Sequence, residues 1–340
     1  MFIHAESLVD EMMITDGEME AFIRLGNDLN TSFYEIRIPL NITSPGASTA
    51  EDIWPIGNRI NLPLELLQAA KTMVYGPTGA PRDENFDPTQ TQFFMQSELG
   101  EYSGPENELQ IGIRGNPSFG NVRVVMLGMR NTTGSDICGE VWFNELRLSE
   151  LKNQGGWAAT AALDANMADF MNVSATGNVS TIGFGSIEQG PTERSQEDLV
   201  QYDVVTNMNL GQLLPRKWGI QLPFNYGIGE TFITPQFDPQ FDDVELDTRL
   251  DNAENDDQRD DIREQSIDYT RRQSINFIGV RKERTGEKKP MPYDVENFTF
   301  SYSYNQVDHN DFEIEESLDQ NVRVGGTYNY SFVQKPYEPF

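Results

Sequence analysis

The sequence predicts an all-β fold, in which a jelly-roll-like β-sandwich is followed by antiparallel transmembrane β-barrel strands that form a partial barrel. Two observations carry this prediction. The second half contains segments of about 10 to 12 residues in which apolar and small polar residues alternate, as in strands that cross a bilayer at a tilt. The first half contains shorter alternating segments between irregular loops, which is typical of a sandwich.

The clearest alternation lies in residues 296–305, ENFTFSYSYN. Successive side chains of a strand point to opposite faces, so one face here is aromatic and the other carries hydroxyl and amide groups. In a barrel wall the first face contacts lipid and the second lines the lumen. The predicted lipid-facing residues are Met171, Val173, Trp218, Ile220, Leu222, Phe224, Tyr226, Phe298, Phe300, Tyr302 and Tyr304. The predicted lumen-facing residues are Asn172, Ser174, Thr176, Asn178, Gln221, Asn225, Thr299, Ser301, Ser303 and Asn305.

The domain boundary is expected at the flexible stretch 153–156, NQGG. Residues 1–150 form the predicted soluble sandwich, and residues 157–340 hold about seven antiparallel outer-membrane strands with a long acidic loop at about 230–273. Short and long connections alternate, as between the periplasmic and extracellular ends of outer-membrane barrels. Besides residues 296–305, strands are expected at residues 157–168, 171–180, 201–210, 218–229, 274–281 and 321–333.

The first half shows its clearest alternation at residues 34–42. Pro39 lies on the polar side of this segment and favours an edge strand or a bulge, because proline cannot donate a ladder hydrogen bond. A short helix is expected at residues 63–73, with Pro63 in its first turn and Gly76 beyond its end. Further strands are expected at residues 18–25, 109–114, 122–129 and 140–148.

The composition excludes several classes of protein. Asp and Glu number 54 against 25 Lys and Arg, and the formal charge of -29 argues against a nucleic-acid partner held by phosphate contacts. Mean hydropathy is -0.53, and no run approaches the roughly 18 apolar residues of a membrane helix. A single cysteine, Cys138, permits no internal disulfide.

The sequence offers no pattern for an active site. His4 and His309 are its only histidines, and neither a zinc motif, a nucleophile elbow nor a phosphate-binding loop occurs. We therefore expect no catalytic residues, no metal and no cofactor. The acidic stretch 238–264 is predicted to be a solvated loop or short surface helix, with a calcium site as the alternative. The basic cluster at residues 281–289 is predicted to be a solvated turn, with a contact to lipid head groups or a partner as the alternative.

Several runs of sequence, in this order along the chain, resemble one family. They are FIHAE, AFIRLGNDLNTSFYEIRIPL, GEVWFNELRLSEL, PRKWGIQLPF, PQFDP, DYTRRQSINFIGVRKER and PYDVENFTFSYSYN. The set is similar to the SprA/Sov family, the outer-membrane translocon of the type 9 secretion system, which serves protein export and gliding motility in Bacteroidota. The motif residues taken from the third run are Glu140, Val141, Trp142, Asn144, Glu145, Leu146 and Arg147.

The resemblance implies a protein-conducting channel in the outer membrane at the cell surface, with no enzyme activity. It implies four kinds of partner: exported proteins, a subunit that plugs the pore, a subunit that covers a lateral opening, and the lipid bilayer. Family members are much longer and form one very large barrel, so this chain is expected to be an internal fragment. Two alternatives stay open, another outer-membrane barrel such as a transporter or porin, and a soluble carbohydrate-binding protein of tandem β-sandwiches.

Overall fold

The computed structural model describes residues 1–8, 13–76, 79–149, 153–190, 193–287 and 289–332. The structure is 43% strand and 16% helix, and its strands pair antiparallel, which confirms the mostly β, antiparallel part of the fold prediction. The chain divides into two compact units. The first unit contains Met1–Lys152 and Phe237–Ile262, and the second contains Asn153–Gln236 and Arg263–Phe340.

The first unit contains two antiparallel sheets. Its strands are β1 (Phe2–Ser7), β2 (Met19–Gly26), β3 (Phe33–Pro39), β4 (Gln92–Met95), β5 (Gln110–Arg114), β6 (Val124–Asn131) and β7 (Gly139–Asn144). One sheet has the order β4-β5-β3-β2-β6, and the other pairs β1 with β7. The core of the unit is apolar and includes Ile3 of β1, Ile23 of β2, Ile36 of β3 and Ile111 of β5, all buried.

Strand β3 is central rather than at an edge, since it pairs with both β2 and β5. The expectation that Pro39 marks an edge strand or a bulge was therefore wrong. Pro39 is the last residue of β3 and is paired with Glu20. A proline is tolerated there because it falls where the ladder ends.

The helices are α1 (Ala50–Ile53), α2 (Glu65–Val74), α3 (Gln96–Leu99), α4 (Leu246–Asp251) and α5 (Asp256–Ser266). Helix α2 lies where the proline and glycine signals predict a helix. It buries Leu66, Leu67, Ala70 and Val74, whose spacing of three and four residues places them on one stripe of the helix against the core. No helix within the described ranges is long and apolar enough to span a membrane.

Residues 237–262, most of the acidic stretch, are folded into the first unit. Phe241 and Val244 belong to its core, and Leu246, Leu250 and Ile262 form a small second cluster. The prediction of a solvated loop or short surface helix did not include these buried contacts. The apolar residues of the stretch are few and lie among many carboxylates, so composition alone points to a solvated segment.

The second unit is built on one antiparallel sheet, here called the meander sheet. Its strands are β8 (Ala158–Met167), β9 (Met171–Ser180), β10 (Glu197–Asn209), β11 (Ile220–Gln221), β12 (Pro223–Pro235), β13 (Asp268–Lys282), β14 (Phe298–Asn310) and β15 (Ser317–Tyr328). The order is β15-β14-β13-β12-β10-β9-β8, and the short β11 pairs with β13. Over the described part of the chain β8 and β15 each pair on one side only, so the sheet is open.

Two glycines mark places where the regular strand geometry of the meander sheet is interrupted. Gly219 has φ 62° and ends a short 3-10 turn, Arg216–Trp218, just before β11. Gly279 has φ 81° and lies at a bulge in β13, where the register with β14 shifts between Ile278 and Val280. Glycine adopts positive φ without the strain that a Cβ atom causes, and it is the usual residue at such bulges.

Candidate functional site

The candidate functional site is the pair of faces of the meander sheet. In the ranges that the structure describes, no group of three or more His, Cys, Asp or Glu side chains could hold a metal ion. The polar, charged and aromatic residues of the meander sheet form two extended surfaces of opposite character.

One face, here called the apolar face, carries aromatic and aliphatic side chains that meet across strands. Tyr304 of β14 is paired with Ile275 of β13 and Val322 of β15. Aromatic rings contact one another at centroid distances of 5.0 Å for Phe224 and Phe277, and 5.1 Å for Phe298 and Tyr328. Cross-strand pairs of this kind are the stabilising unit of an antiparallel sheet.

The apolar face is uncovered over β14 and β15. Phe300 is 55% exposed, Tyr302 39% and Val324 77%. Large apolar side chains of a soluble sandwich would be buried between two sheets. In this chain none of the described residues forms such a second layer over them, and a contiguous apolar surface of this kind marks a site of contact with another molecule or with lipid.

The opposite face, here called the polar face, carries a row of asparagines at one level across the sheet. Residues paired in sequence across six strands make up this asparagine row: Asn166, Asn172, Asn207, Asn225, Asn276 and Ser303. The Asn225 amide donates to Asn207 at 2.9 Å, and the Asn276 amide donates to Asn225 at 2.9 Å. The Ser303 hydroxyl continues the chain by donating to Asn276 at 2.5 Å.

The asparagines of the row line a concavity of about 620 Å³, together with residues of the β8–β9 turn and with residues such as Met171 and Phe224. Asn166, Asn172, Asn207, Asn225 and Asn276 all contribute to its wall. These five amide side chains carry no charge, and Asp169 in the turn between β8 and β9 adds a carboxylate to the wall. Apolar residues also occur on the polar face: Ile278 is 64% exposed there, where it is paired with Ser301, and Val205 is 41% exposed.

Register places the two predicted sets of residues on opposite faces of the same sheet. Met171, Val173, Phe224, Tyr226, Phe298, Phe300, Tyr302 and Tyr304 lie on the apolar face. Asn172, Ser174, Thr176, Asn178, Gln221, Asn225, Thr299, Ser301, Ser303 and Asn305 lie on the polar face. Whether lipid and lumen are their surroundings stays a prediction.

Three predicted lipid-facing residues lie outside the long strands. Trp218 belongs to the 3-10 turn and is not in a strand. Ile220 lies in β11, paired with Lys282, and Leu222 falls between β11 and β12. The sequence pattern runs through this region without interruption, and its one warning was Gly219, which takes the left-handed conformation.

Sequence reasoning missed half of the asparagine row. Asn166, Asn207 and Asn276 were not among the predicted residues, although each lies in or beside a predicted strand. Their shared level depends on the pairing register of five strands, which no single strand reveals. The one available signal was the recurrence of Asn on the same side of successive alternating segments.

The basic cluster at 281–289 is largely neutralised by neighbouring carboxylates. Lys282 contacts Glu296 at 2.7 Å and Arg284 contacts Asp294 at 2.8 Å. Hydrogen bonds from the Met291 backbone, followed by the Arg284 side chain, hold the pKa of Asp294 below its usual range. These contacts favour the solvated turn over a contact with lipid head groups.

In the first unit, a buried ion pair holds residues 237–262 against α2. Lys71 is 2% exposed and donates to the Asp243 carboxylate at 2.5 Å. Tyr34 also donates to Asp243, at 2.9 Å. Burial lowers the pKa of Lys71, although Asp243 opposes this, and burial raises the pKa of Tyr34 well above its usual range.

The predicted family motif lies on and after β7. Glu140 accepts a hydrogen bond from the Trp142 indole, whose ring lies 5.9 Å from that of His4 on the paired strand β1. Val141 packs against the core. Asn144 ends β7, Glu145 has φ 57°, and Arg147 contacts Glu145 at 3.4 Å. Trp142 and Leu146 are exposed. The motif thus ends strand β7, holds it to the core through Val141 and leaves the Trp142 ring exposed.

Comparison with known families gives a match over most of the chain. Residues 1–250 match the family model SprA_N, described as motility related/secretion protein. The chain belongs to the SprA family. The family prediction made from the ordered runs of sequence is therefore confirmed. The match covers most of the first unit and the meander sheet from β8 to β12.

Membership gives the function at a coarse level. A SprA family protein is a motility or secretion protein, and such a role is consistent with a location in the cell envelope. The family description names no catalytic activity. A search among curated proteins gave no match.

Proposed function

We propose that this chain is part of the wall of an outer-membrane protein-conducting channel, the translocon of the type 9 secretion system. The observation that carries the proposal is the division of the meander sheet into an exposed aromatic face and a polar face of amides and hydroxyls, which also carries charges of both signs, such as Asp203, Arg272 and Arg323. Secretion family membership supports the same reading. The meander sheet is then transmembrane β-barrel wall, and the first unit is a jelly-roll-like soluble insertion.

The proposed mechanism is passive guidance. The apolar face anchors the sheet in lipid, since burial of each aromatic or aliphatic side chain away from water contributes about 1.5–3 kcal/mol. The polar face offers a wet surface, mostly of amides and hydroxyls with charges of both signs among them, along which an exported protein moves. Because the central amides of the asparagine row bind one another, they compete weakly for groups on the passing protein. Energy for transport comes from elsewhere.

Exposure of the aromatic face favours the channel wall over a soluble carbohydrate-binding sandwich. Phe300 and Tyr302 would lie between two sheets in a sandwich, and they are exposed here. The proposed partners follow from the channel role: exported proteins, a plug subunit, a lateral-gate subunit and the lipid bilayer. Nucleic acid is not among them, given a formal charge of -29.

The proposal is tested in cells that carry the full-length protein. Deletion of its gene is expected to retain exported proteins inside the outer membrane, as measured by the amounts in the medium and in the periplasm. A photo-crosslinking amino acid at Ser303 is then expected to capture a tagged exported protein during transport. The matched control is the adjacent residue Tyr302, which lies on the opposite face and should capture none.

Two results would overturn the proposal. Unchanged export after deletion would show that the protein is not the channel. Equal capture of the exported protein from Ser303 and Tyr302 would show that the two faces of the sheet do not separate passage from lipid.

A further inference from the structure

The limits of the apolar face do not follow the rows of paired residues. One row across the sheet consists of Leu163, Ala175, Val204, Ile228, Gln273, Gln306 and Gln320. All seven side chains point to the apolar face, yet the row is aliphatic from β8 to β12 and amide from β13 to β15. The apolar side chains of this face therefore form a band, here called the oblique band, that runs obliquely across the sheet.

The end of the sheet at which β14 finishes, at Asn310, is here called its upper end. The upper limit of the oblique band lies higher on β9 than on β14. On β14 the band ends at Tyr304, whose row includes Val173 on β9. On β9 the band continues to Val179, six residues beyond Val173. Six residues at roughly 3.4 Å give about 20 Å of rise, across four strand spacings of roughly 4.8 Å, or about 19 Å.

The lower limit rises in the same direction. On β9 the band begins at Met171, next to the turn, and the corresponding residue on β14 is Tyr302. On β14 the band continues to Phe298, four residues below Tyr302, or about 14 Å over the same four spacings. The two limits are thus inclined to the rows by roughly 35° to 45°. Because the rows run perpendicular to the strands, a band that is parallel to the membrane plane implies strands tilted by the same angle from the membrane normal. Strands of outer-membrane barrels tilt by about this angle.

Charged side chains on the apolar face fall outside the oblique band. Glu230, Arg271 and Asp308 occupy the row above the amides and lie beyond the upper limit on β12, β13 and β14. The Tyr202 hydroxyl donates to Glu230 at 2.6 Å, on the strand where the limit passes. Phe232 and Tyr269 stack beyond them with centroids 4.8 Å apart, as aromatic residues do at a membrane interface. Leu318 is the exception, apolar and exposed in the charged row.

We infer that the oblique band is the bilayer-contact surface of the meander sheet, so that strands β8 to β15 cross the membrane at roughly 35° to 45° to its normal. The inference rests on the proposed function and deepens it by fixing which residues share a depth. Leu163 and Val324 both lie inside the band. Met167 and Gln320 both lie at or beyond its limits, on opposite edges.

Four exposed sites on the edge strands test the inference. Leu163 and Gln320 share one row, and Met167 and Val324 share another. Each site is changed to cysteine in the full-length protein, with Cys138→Ala and any other cysteine removed, and is labelled with a nitroxide. The protein is reconstituted in vesicles of phosphatidylethanolamine and phosphatidylglycerol. Collision rates with oxygen and with a water-soluble nickel chelate then report the depth of each label.

The expected result is a crossed pattern. Labels at Leu163 and Val324 are deep, with oxygen collisions raised and nickel collisions lost, while labels at Met167 and Gln320 are shallow. If depth instead follows the rows, so that Leu163 matches Gln320 and Met167 matches Val324, the inference is overturned and the lipid-facing wall survives. If all four labels are as accessible to nickel as a label at the loop residue Ile187, or are shielded from both reagents, the bilayer is not the occupant and the proposed function fails with the inference.

Discussion

Lys71 and Asp243 form a fully buried pair of opposite charges, and their value depends on both being present. Removal of one partner from such a pair leaves an uncompensated buried charge. Among the described residues, the Asp243 carboxylate would then keep Tyr34 and the Phe119 amide as its hydrogen-bond donors. The pair therefore fixes where residues 237–262 dock, because any other position would separate the two buried charges.

We expect Lys71→Met to destabilise the first unit by about 3–5 kcal/mol, because Asp243 stays buried without its cation. Adding Asp243→Asn should recover most of this loss, since the amide oxygen can still accept from Tyr34. Amide hydrogen exchange of α2 in the full-length protein measures both changes. Arg130→Met is the control, because Arg130 pairs with Glu20 at 3.4 Å on the surface, where such pairs contribute about 0–1 kcal/mol. Equal effects at Lys71 and Arg130 would contradict the buried-pair argument.

For single residues, the sequence predicts which face of the sheet a side chain occupies better than it predicts which residues of neighbouring strands lie beside it. The alternation of Phe298, Thr299, Phe300 and Ser301 fixes which side chains share a face, because the side-chain period of a strand is two. The asparagine row and the oblique band depend on how far each strand is shifted against its neighbour. That register is set by turns and by pairing with other strands, and it is absent from any one segment.

At the scale of elements, regular strands were the most predictable parts of the chain. Strand β9 occupies residues 171–180, as the alternation predicts. The region around Gly219 was not predictable in the same way, because a 3-10 turn interrupts an alternating pattern that continues on both sides. Bulges such as that at Gly279 likewise change the register without changing the pattern of residue types.

Strand β15 offers the sharpest comparison of the two faces, since Val324 and Asn321 are both exposed on it and point in opposite directions. We expect Val324→Arg to destabilise the membrane-inserted protein by about 1–4 kcal/mol, since the cost of a lipid-facing arginine is about 2–4 kcal/mol at the bilayer midplane and falls towards the interfaces. Asn321→Arg should change stability little, because its side chain stays in water. Unfolding of the full-length protein by urea in vesicles measures both. Equal losses for the two variants would contradict a lipid-facing assignment for Val324.

At the scale of the whole molecule, the first unit is made from two separated stretches of chain. Met1–Lys152 supplies both sheets, and Phe237–Ile262 supplies Phe241 and Val244 to their core. Since β8 to β12 lie between these stretches, the first unit can complete its core only after most of the meander sheet has been synthesised. The acidic composition of residues 237–262 hides this role, because the few residues that enter the core are outnumbered by carboxylates.

We therefore expect a polypeptide of residues 1–152 alone to be markedly less stable than one in which residues 237–262 are joined to it by a flexible linker. The shorter polypeptide leaves Lys71 buried without Asp243 and opens the core where Phe241 and Val244 pack. A cavity and an unpaired charge each destabilise a core by several kcal/mol. Thermal unfolding and protease resistance measure the difference. The control joins residues 237–262 with Asp243→Asn and Phe241→Ala, which should restore little stability. If residues 1–152 alone match the joined polypeptide, the added stretch is not part of the core.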